Sequence, residues 1–391
     1  MQKILLSITF FSMINLAALF SQSAADTTFY LLTCGPGTET YSIYGHSAIR
    51  VVIPGNKTDI VYNWGVFDFN TPNFAWKFAK GRLDYLLVDE KATRFLQAYF
   101  YEKRVVQSQK INLDTQETKK LIDLINQNLL PENVNYRYDF FYDDCSTRIR
   151  DLLEKAVGKK LLYPPVETGN IPTFRKMVAK CQKPFPWLTF GIDLIMGSPG
   201  DKKAMFRDRM FLPADLQTGL SEAVINREGK MVPLVQNPEV ILDFDPPVVS
   251  QWIVTFPSVV FSLLMIIILV LSGTVKSRKY NRIIDLILFS VYGILALLMI
   301  FFNFFTDHMQ MKWNLNIIWL NPFILFCLVS LILNKAGTVW FRTLFYISAI
   351  FLVIHLLLPQ EFNIAFIPLI VILLARSSVR SGFEWNPLSI N

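Results

Sequence analysis

Apolar residues change their spacing near position 250, and that change divides the chain. Before it, short apolar runs alternate with polar residues or recur at helical intervals; after it, they lengthen into spans. In the first part, residues 29–32 read as a strand, Gly35-Pro36-Gly37 as a turn and residues 41–53 as a second strand. Pro54-Gly55-Asn56-Lys57 reverses the chain, and residues 59–64 return as a third strand. Residues 92–103 and 114–129 carry helical spacing, with a strand at 105–111 between them. After Asp144 the positions Ile149, Leu152, Leu153, Ala156 and Val157 fit one helix face, which Gly158 ends. Asp143 and Asp144 are its N-cap candidates. Pro164-Pro165 breaks the pattern, and residues 173–182 are a short amphipathic segment. Residues 185–196 are apolar enough to dip into a membrane interface but too short to span. A helix at 214–225 and a hairpin of 232–235 with 240–242 follow, and Pro246-Pro247 closes the region.

From Trp252 onward five apolar runs appear, at about 252–272, 283–305, 316–334, 339–358 and 362–375. The first four have the length of transmembrane helices; the last is short. With the N-terminal part outside, the cytoplasmic flanks hold Lys276, Arg278, Lys279, Arg282, Lys335, Arg342, Arg376 and Arg380, and the outer loops hold only Lys312. That asymmetry is a positive-inside signal. Residues 1–25 agree with it, reading as a secretory signal with Lys3, an apolar run from Ile4 to Phe20, and Ser23-Ala24-Ala25 before Asp26. No cysteine follows that site, so the chain is not expected to be a lipoprotein itself. The chain has 391 residues, 52% hydrophobic and 14% aromatic, with a net charge of +7. Many of its basic residues flank apolar spans, where they set membrane orientation, and that placement argues against a nucleic-acid partner.

The chemistry concentrates in the exported part. Cys145 falls in the first turn of the helix after Asp144, where free N–H groups and the helix dipole favour a thiolate, and it points the way the buried stripe points. The rival reading is a buried structural cysteine. Of four cysteines, Cys327 lies in a span; a Cys34–Cys181 bridge would leave Cys145 free to react. His46, on the second strand, is the one histidine outside the spans and their loops, and so the candidate base; a strand histidine bonded to a carbonyl is the alternative. If the hairpin closes about residues 55 and 56, His46 faces Gly65 and has Asn63 as its diagonal neighbour. Asn63 is then the candidate third member, with Asp59 and Asp68 as competitors. Residues 67–87 interleave Phe74, Trp76, Phe78 and Tyr85 with Lys77, Lys80 and Arg82, either as a solvated loop or as a lip for lipid headgroups. His308 and His355 fall on the outer side of the spans, beside Asn314, Asn316 and Asn321, as candidates for lining substrate access or as plain membrane anchors.

Three stretches together resemble the Lnb family, the lipoprotein N-acyltransferases of Bacteroidota. They are Tyr44-Gly45-His46-Ser47-Ala48-Ile49-Arg50, Tyr62-Asn63-Trp64-Gly65-Val66-Phe67-Asp68-Phe69 and Asp144-Cys145-Ser146-Thr147-Arg148. The stretch from Asp307-His308 through Asn314 to Pro322 is also similar. A histidine that precedes the cysteine resembles the circularly permuted NlpC-type branch, which includes lecithin:retinol acyltransferase and phospholipid-dependent N-acyltransferases. The resemblance implies a thioester on Cys145, loaded from a membrane phospholipid and discharged to the α-amine of a diacylglyceryl-cysteine lipoprotein. It implies no cofactor and no metal. Tyr44, Arg148, Lys80, Arg82 and His308 are the expected substrate-binding residues beside Cys145, His46 and Asn63.

The expectation is therefore an α+β, permuted papain-like exported domain followed by an all-α transmembrane bundle of about five helices. The expected divisions are a signal peptide at 1–25, a catalytic domain at 26–165 and a membrane-contacting periplasmic extension at 166–250. Spans at 251–376 and a cytoplasmic tail at 377–391 complete the chain. The expected location is the bacterial inner membrane with the catalytic domain in the periplasm. Two rivals remain, a papain-like peptidase or amidase acting on peptidoglycan and a non-enzymatic membrane assembly factor.

Overall fold

The computed structural model describes residues 26–165, 169–245 and 252–382. The expected signal segment, Pro246-Pro247 and the end of the tail lie outside the described residues. The chain divides into two compact units, Met1–Pro172 with Lys203–Val248, and Thr173–Lys202 with Val249–Asn391.

In the first unit, β1 (Thr28–Cys34), β2 (His46–Ile53) and β3 (Thr58–Val66) form an antiparallel meander. The β2–β3 register sets Ile49 opposite Tyr62 and Ile53 opposite Thr58, around a turn at Pro54–Asn56 that Lys57 closes at φ 53°. The second strand starts later than its sequence suggests. Gly45 (φ 81°) donates its N–H to Ser42, a turn that delays extended backbone until His46. Residues 67–87 are more than a loop, for they hold α1 (Phe74–Ala79) and the start of β4 (Asp84–Lys91). Next come α2 (Ala92–Tyr101), β5 (Val106–Lys110), α3 (Thr115–Leu129) and β6 (Asn135–Arg137). Asp114 caps α3 through a reciprocal bond with Glu117, worth about 1 kcal/mol. Helix α4 (Cys145–Val157) then follows.

The expected extension at 166–250 divides between the two units. Residues 203–245 belong with the first, where β7 (Leu161–Leu162), β8 (Val224–Arg227) and β9 (Lys230–Pro233) form a small sheet. The expected hairpin of 232–235 with 240–242 does not form. Glu228 and Gly229, both at positive φ, turn β9 back onto β8 instead, and β10 (Glu239–Leu242) joins the large sheet beside β5. Among the described residues that sheet has seven strands, in the order β10-β5-β1-β2-β3-β4-β6. Both its faces are covered, which explains why the adjacent Leu31 and Leu32 are both fully buried. Leu31, Ile49, Tyr62 and Trp64 pack with Leu121 of α3 and with Ile149 and Leu153 of α4. On the other face, Leu32, Ala48 and Val61 pack with Phe95 of α2.

The second unit contains α5 (Phe174–Gln182), α6 (Pro186–Ile195), α8 (Pro257–Thr274), α9 (Arg278–Phe304), α10 (Phe323–Ile332), α11 (Thr338–Ile354) and α12 (Phe366–Arg380). Helix α7 (Pro213–Glu222) lies in the first unit, and its helical run stops short of 225 because Val224 enters β8. Among the described residues, the helices at Pro257–Thr274, Arg278–Phe304 and Thr338–Leu357 are long and apolar enough to cross a membrane. The third apolar run does not form one such helix. Asn321-Pro322 interrupts it, leaving α10 about 15 Å long at 1.5 Å per residue.

Two buried ionic clusters organise this unit. Arg175 of α5 reaches Asp201 at 2.8 Å, Asp193 of α6 at 3.1 Å, and the Met196 and Gly197 carbonyls. That cluster fixes residues 173–202 within the unit. The second cluster centres on Asp285 of α9, fully buried, which receives Arg376 at 2.6 Å on one oxygen and Arg380 at 2.6 Å on the other. Arg376 also donates to Ser272 of α8 and to Asn281 of α9. Arg282 and Arg342 donate to the carbonyls of Leu331 and Ser381. Half of the eight cations expected at the cytoplasmic flanks thus close helix ends or buried pairs.

Replacing Asp285 with Ala leaves Arg376 buried and unpaired, a cost of about 3–5 kcal/mol. The thermal midpoint of the full chain in detergent should fall steeply, and the double variant Asp285→Leu with Arg376→Met should recover most of the loss. A single variant that melts with the wild type would show that the pair does not hold the helices.

Candidate active site

Cys145 is the first residue of α4 and is buried, in contact with the sheet face that packs on α3 and α4. Asp144 is the N-cap. Its Oδ1 accepts from the Ser146 N–H (2.9 Å), the Thr147 N–H (2.7 Å) and the Thr147 hydroxyl (3.0 Å), while Thr147 accepts from the Asp144 N–H. Asp143, the other cap candidate, instead grips Arg148 with both oxygens, at 2.6 and 2.9 Å. The cap consumes two of the first-turn N–H groups that were expected to support a thiolate, leaving the Cys145 N–H outside it.

The ends of β2 and β3 meet this helix start. Ser47, the residue after His46, bonds its hydroxyl to that of Ser146 at 3.2 Å, and its backbone N–H points to the Cys145 sulfur. Gly65 forms a bulge where β3 pairs with β4 and has φ 88°. A Cβ there would lie 3.7 Å from Cys145 Cβ and 3.3 Å from a Tyr138 ring carbon. Both features restrict position 65 to glycine.

His46 and Asn63 are joined at 2.6 Å, Nε2 to Oδ1. With that oxygen accepting, Nε2 carries the proton and Nδ1 the free lone pair, the tautomer a base requires. Neither competitor takes that place: Asp59 binds both Nε and Nη2 of Arg50 at 2.7 Å, and Asp68 accepts from Asn70.

Burial dominates the electrostatics. It lowers His46 to about 4, against the opposing bond from Asn63. It pushes the Cys145 thiol above its usual range, against the Ser47 N–H and the Ser146 and Tyr138 hydroxyls. Burial and the neighbouring Cys145 also hold the Asp144 carboxyl well above the carboxylate range. The expected resting thiolate is therefore not what the structure supports. A dipole effect of about 0.3–1 kcal/mol does not outweigh desolvation here, so burial favours the thiol at Cys145 and the neutral imidazole at His46.

The remaining predicted residues occupy different surroundings. Arg148 lies over the Tyr136 ring, 3.4 Å from its centroid, with Asp143 occupying its fork, so it braces the site's wall. Tyr44 packs edge-on against Phe140 at 4.8 Å. Lys80 sits over the exposed Trp76 ring at 4.9 Å, and Arg82 is exposed on the same lip. Rings lead inward from that lip, Phe67 to Tyr85 at 5.3 Å and Tyr85 to Tyr138 at 4.5 Å. His308 lies in the second unit, before the turn at Met309–Met311. Asn314 and Asn316, read as candidates for substrate access, donate to the Leu194 carbonyl, a structural use. Cys34 and Cys181 are both unbridged, so no disulfide forms between them. Among the described residues no group of three or more His, Cys, Asp or Glu is placed to hold a metal ion.

Sequence reasoning missed Tyr136, Tyr138, Gly65 and Ser47 as site residues. The alternation Asn135-Tyr136-Arg137-Tyr138 was the available signal, since it aims both rings at one face.

Residues 19–178 match the Lnb N-terminal periplasmic domain, and residues 249–384 match the Lnb transmembrane domain. The chain belongs to the Lnb family. No curated protein and no solved structure matches it. As an Lnb protein it is a membrane protein with a periplasmic domain, and its α+β unit followed by a helical region agrees with the fold class read from the sequence.

The titration of this site has a definite sign. His46 binds its proton more weakly when folded, so its contribution to stability is complete above about 6.5 and is lost as pH falls toward about 4. Iodoacetamide alkylation, followed at the Cys145 peptide by mass spectrometry, should have its rate midpoint above pH 9. A midpoint near pH 7 would mean a preformed thiolate and would contradict the burial argument.

Proposed function

We propose that the protein is a lipoprotein N-acyltransferase that works through a Cys145 thioester. The observation that carries this reading is the joining of His46 to Asn63 on strands whose nearby residues approach Cys145, Ser47 through its N–H and its bond to Ser146, and Gly65 through the open space at its Cα, within a chain of the Lnb family. His46 is the base, Cys145 the nucleophile, and Asn63 holds the imidazole in the working tautomer.

As the Cys145 sulfur attacks the acyl ester carbonyl of a membrane phospholipid, His46 takes the thiol proton. The carbonyl π electrons move to oxygen, and the Cys145 N–H is one donor to that oxyanion. Collapse breaks the carbon–oxygen bond to the lysophospholipid, whose leaving oxygen takes the proton from His46. The α-amine of a diacylglyceryl-cysteine lipoprotein then attacks the thioester, His46 accepts its proton, and the proton returns to sulfur as the carbon–sulfur bond breaks. A resting neutral pair suits both halves, because the base must be unprotonated each time a nucleophile arrives. Lys80 and Arg82, on a lip of exposed aromatic rings, supply cations for the donor's phosphate; Tyr44 and Arg148 shape the approach, and His308 belongs to the spans that keep the enzyme in the bilayer of the inner membrane.

Intact mass of protein purified from membranes tests the reading. One fatty acyl chain on Cys145, removed by hydroxylamine and absent from His46→Ala and Cys145→Ala, is the expected result, with turnover lowered at least 10²-fold in His46→Ala. No adduct on the wild type, together with lipoprotein N-acylation that survives loss of Cys145, would overturn it and favour the peptidase rival.

A further inference from the structure

Strand β6 presents a second hydroxyl to the site. Tyr136 is buried, and among the described residues its Oη has no hydrogen-bond partner. A buried hydroxyl without a partner carries a desolvation cost of about 1–3 kcal/mol. Other buried polar atoms are also unpaired, Tyr62 Oη and Trp64 Nε1 among them, but the position of Tyr136 sets it apart. Its oxygen is 3.8 Å from the point beside Gly65 that is itself 3.7 Å from Cys145 Cβ. The glycine thus leaves a space about one methyl group wide that the Tyr136 hydroxyl and Cys145 both border, with a Tyr138 ring carbon 3.3 Å from the same point.

The surroundings also favour donation. Arg148 lies over the Tyr136 ring, held there by Asp143, and a cation on a phenol ring draws density from its oxygen. Tyr85 is the cross-strand partner of Tyr136, and the Tyr138 ring packs with both, 4.5 Å from Tyr85 and 6.4 Å from Tyr136. The neighbouring Tyr138 has a different partner, the Cys145 sulfur itself. Of the two tyrosines, one hydroxyl is engaged with the resting thiol and the other is free for a charge that appears only during reaction.

We propose that the Tyr136 hydroxyl donates a hydrogen bond to the oxyanion of the tetrahedral intermediates, beside the Cys145 N–H. This rests on the acyl-transfer reading. As the sulfur–carbon bond forms, the carbonyl electron pair moves to oxygen and is met by the Tyr136 proton, which stays on the phenol. When the intermediate collapses, the pair returns to the carbonyl and the hydrogen bond is released. A donor already in place within a desolvated site stabilises that charge without reorganisation.

Tyr136→Phe tests the assignment in the full-length protein, in mixed micelles of detergent and a defined phospholipid. Single-turnover loading of Cys145, read as hydroxylamine-labile mass, should slow by about 10²–10³-fold. Discharge to a diacylglyceryl-cysteine peptide should slow similarly. The thermal midpoint should stay or rise, since the lost oxygen had no partner, and alkylation of Cys145 by iodoacetamide, which forms no oxyanion, should keep its rate and pH profile. Tyr138→Phe is the contrast, because it should shift that alkylation profile upward. Loading within about threefold of wild type would overturn the donor role alone. A parallel fall in loading, alkylation and thermal midpoint would make Tyr136 a structural residue, also overturning it. A wild type that never forms a thioester would instead remove the acyl-transfer reading, and the donor with it.

Discussion

The start of α4 has to be held against the ends of β2 and β3 with little water between them, and the rest of the first unit is arranged around that seating. Asp144 makes it possible. By turning one carboxylate oxygen onto the Ser146 and Thr147 amides and the Thr147 hydroxyl, it satisfies the helix end from within the protein. The helix start can then be buried, and Cys145 with it. The covered sheet follows from the same demand, because α4 reaches the strands through Ile149 and Leu153 packed on Leu31, Ile49 and Tyr62. Gly65 is the other half of the contact, since its φ of 88° suits glycine and a Cβ there would crowd the Tyr138 ring beside Cys145.

Burial has an electrostatic consequence that runs against the usual account of a cysteine at a helix start. The dipole favours a thiolate, yet the amides that would express that preference are committed to Asp144, and desolvation acts on sulfur, imidazole and carboxyl alike. All three are driven toward their uncharged forms. On the acyl-transfer reading, such a site generates its charge during the reaction and is not poised with it, so donors set for the transition state matter more than donors to the resting sulfur.

Much of this was legible in the chain. The hairpin register could be read from Pro54-Gly55-Asn56-Lys57, because the reversal fixes a period of two and every later pairing follows from it. The helix after Asp144 was readable from its stripe and from Gly158. What escaped was non-local. Nothing near Glu239 announces that β10 will join β5 instead of folding onto β9, since that choice depends on an open sheet edge far away in sequence. The apolar run at 316–334 looks continuous by hydropathy, whereas Asn321-Pro322 divides it through a backbone constraint that hydropathy ignores. Arg376 counts as a flanking cation in sequence and is an internal staple in the fold, because its partner Asp285 lies on another helix.

Buried charges that hold the helices of the second unit are paired, although single atoms there, Ser348 Oγ and Arg380 Nη2, have no partner among the described residues. In the second unit, Asp285 is doubly paired by Arg376 and Arg380, and Arg175 by Asp201 and Asp193. An unpaired charge among apolar helices is costly, and these residues need only hold. Around Cys145 the matching is incomplete, with one oxygen of the adjoining Asp144 and the hydroxyl of Tyr136, nine residues earlier, left unbonded among the described residues. On the acyl-transfer reading, a site that must receive a carbonyl, develop charge on its oxygen and then release it needs partners that are absent at rest, and the unbonded Tyr136 hydroxyl suits that need because of where it lies, beside Gly65 and Cys145.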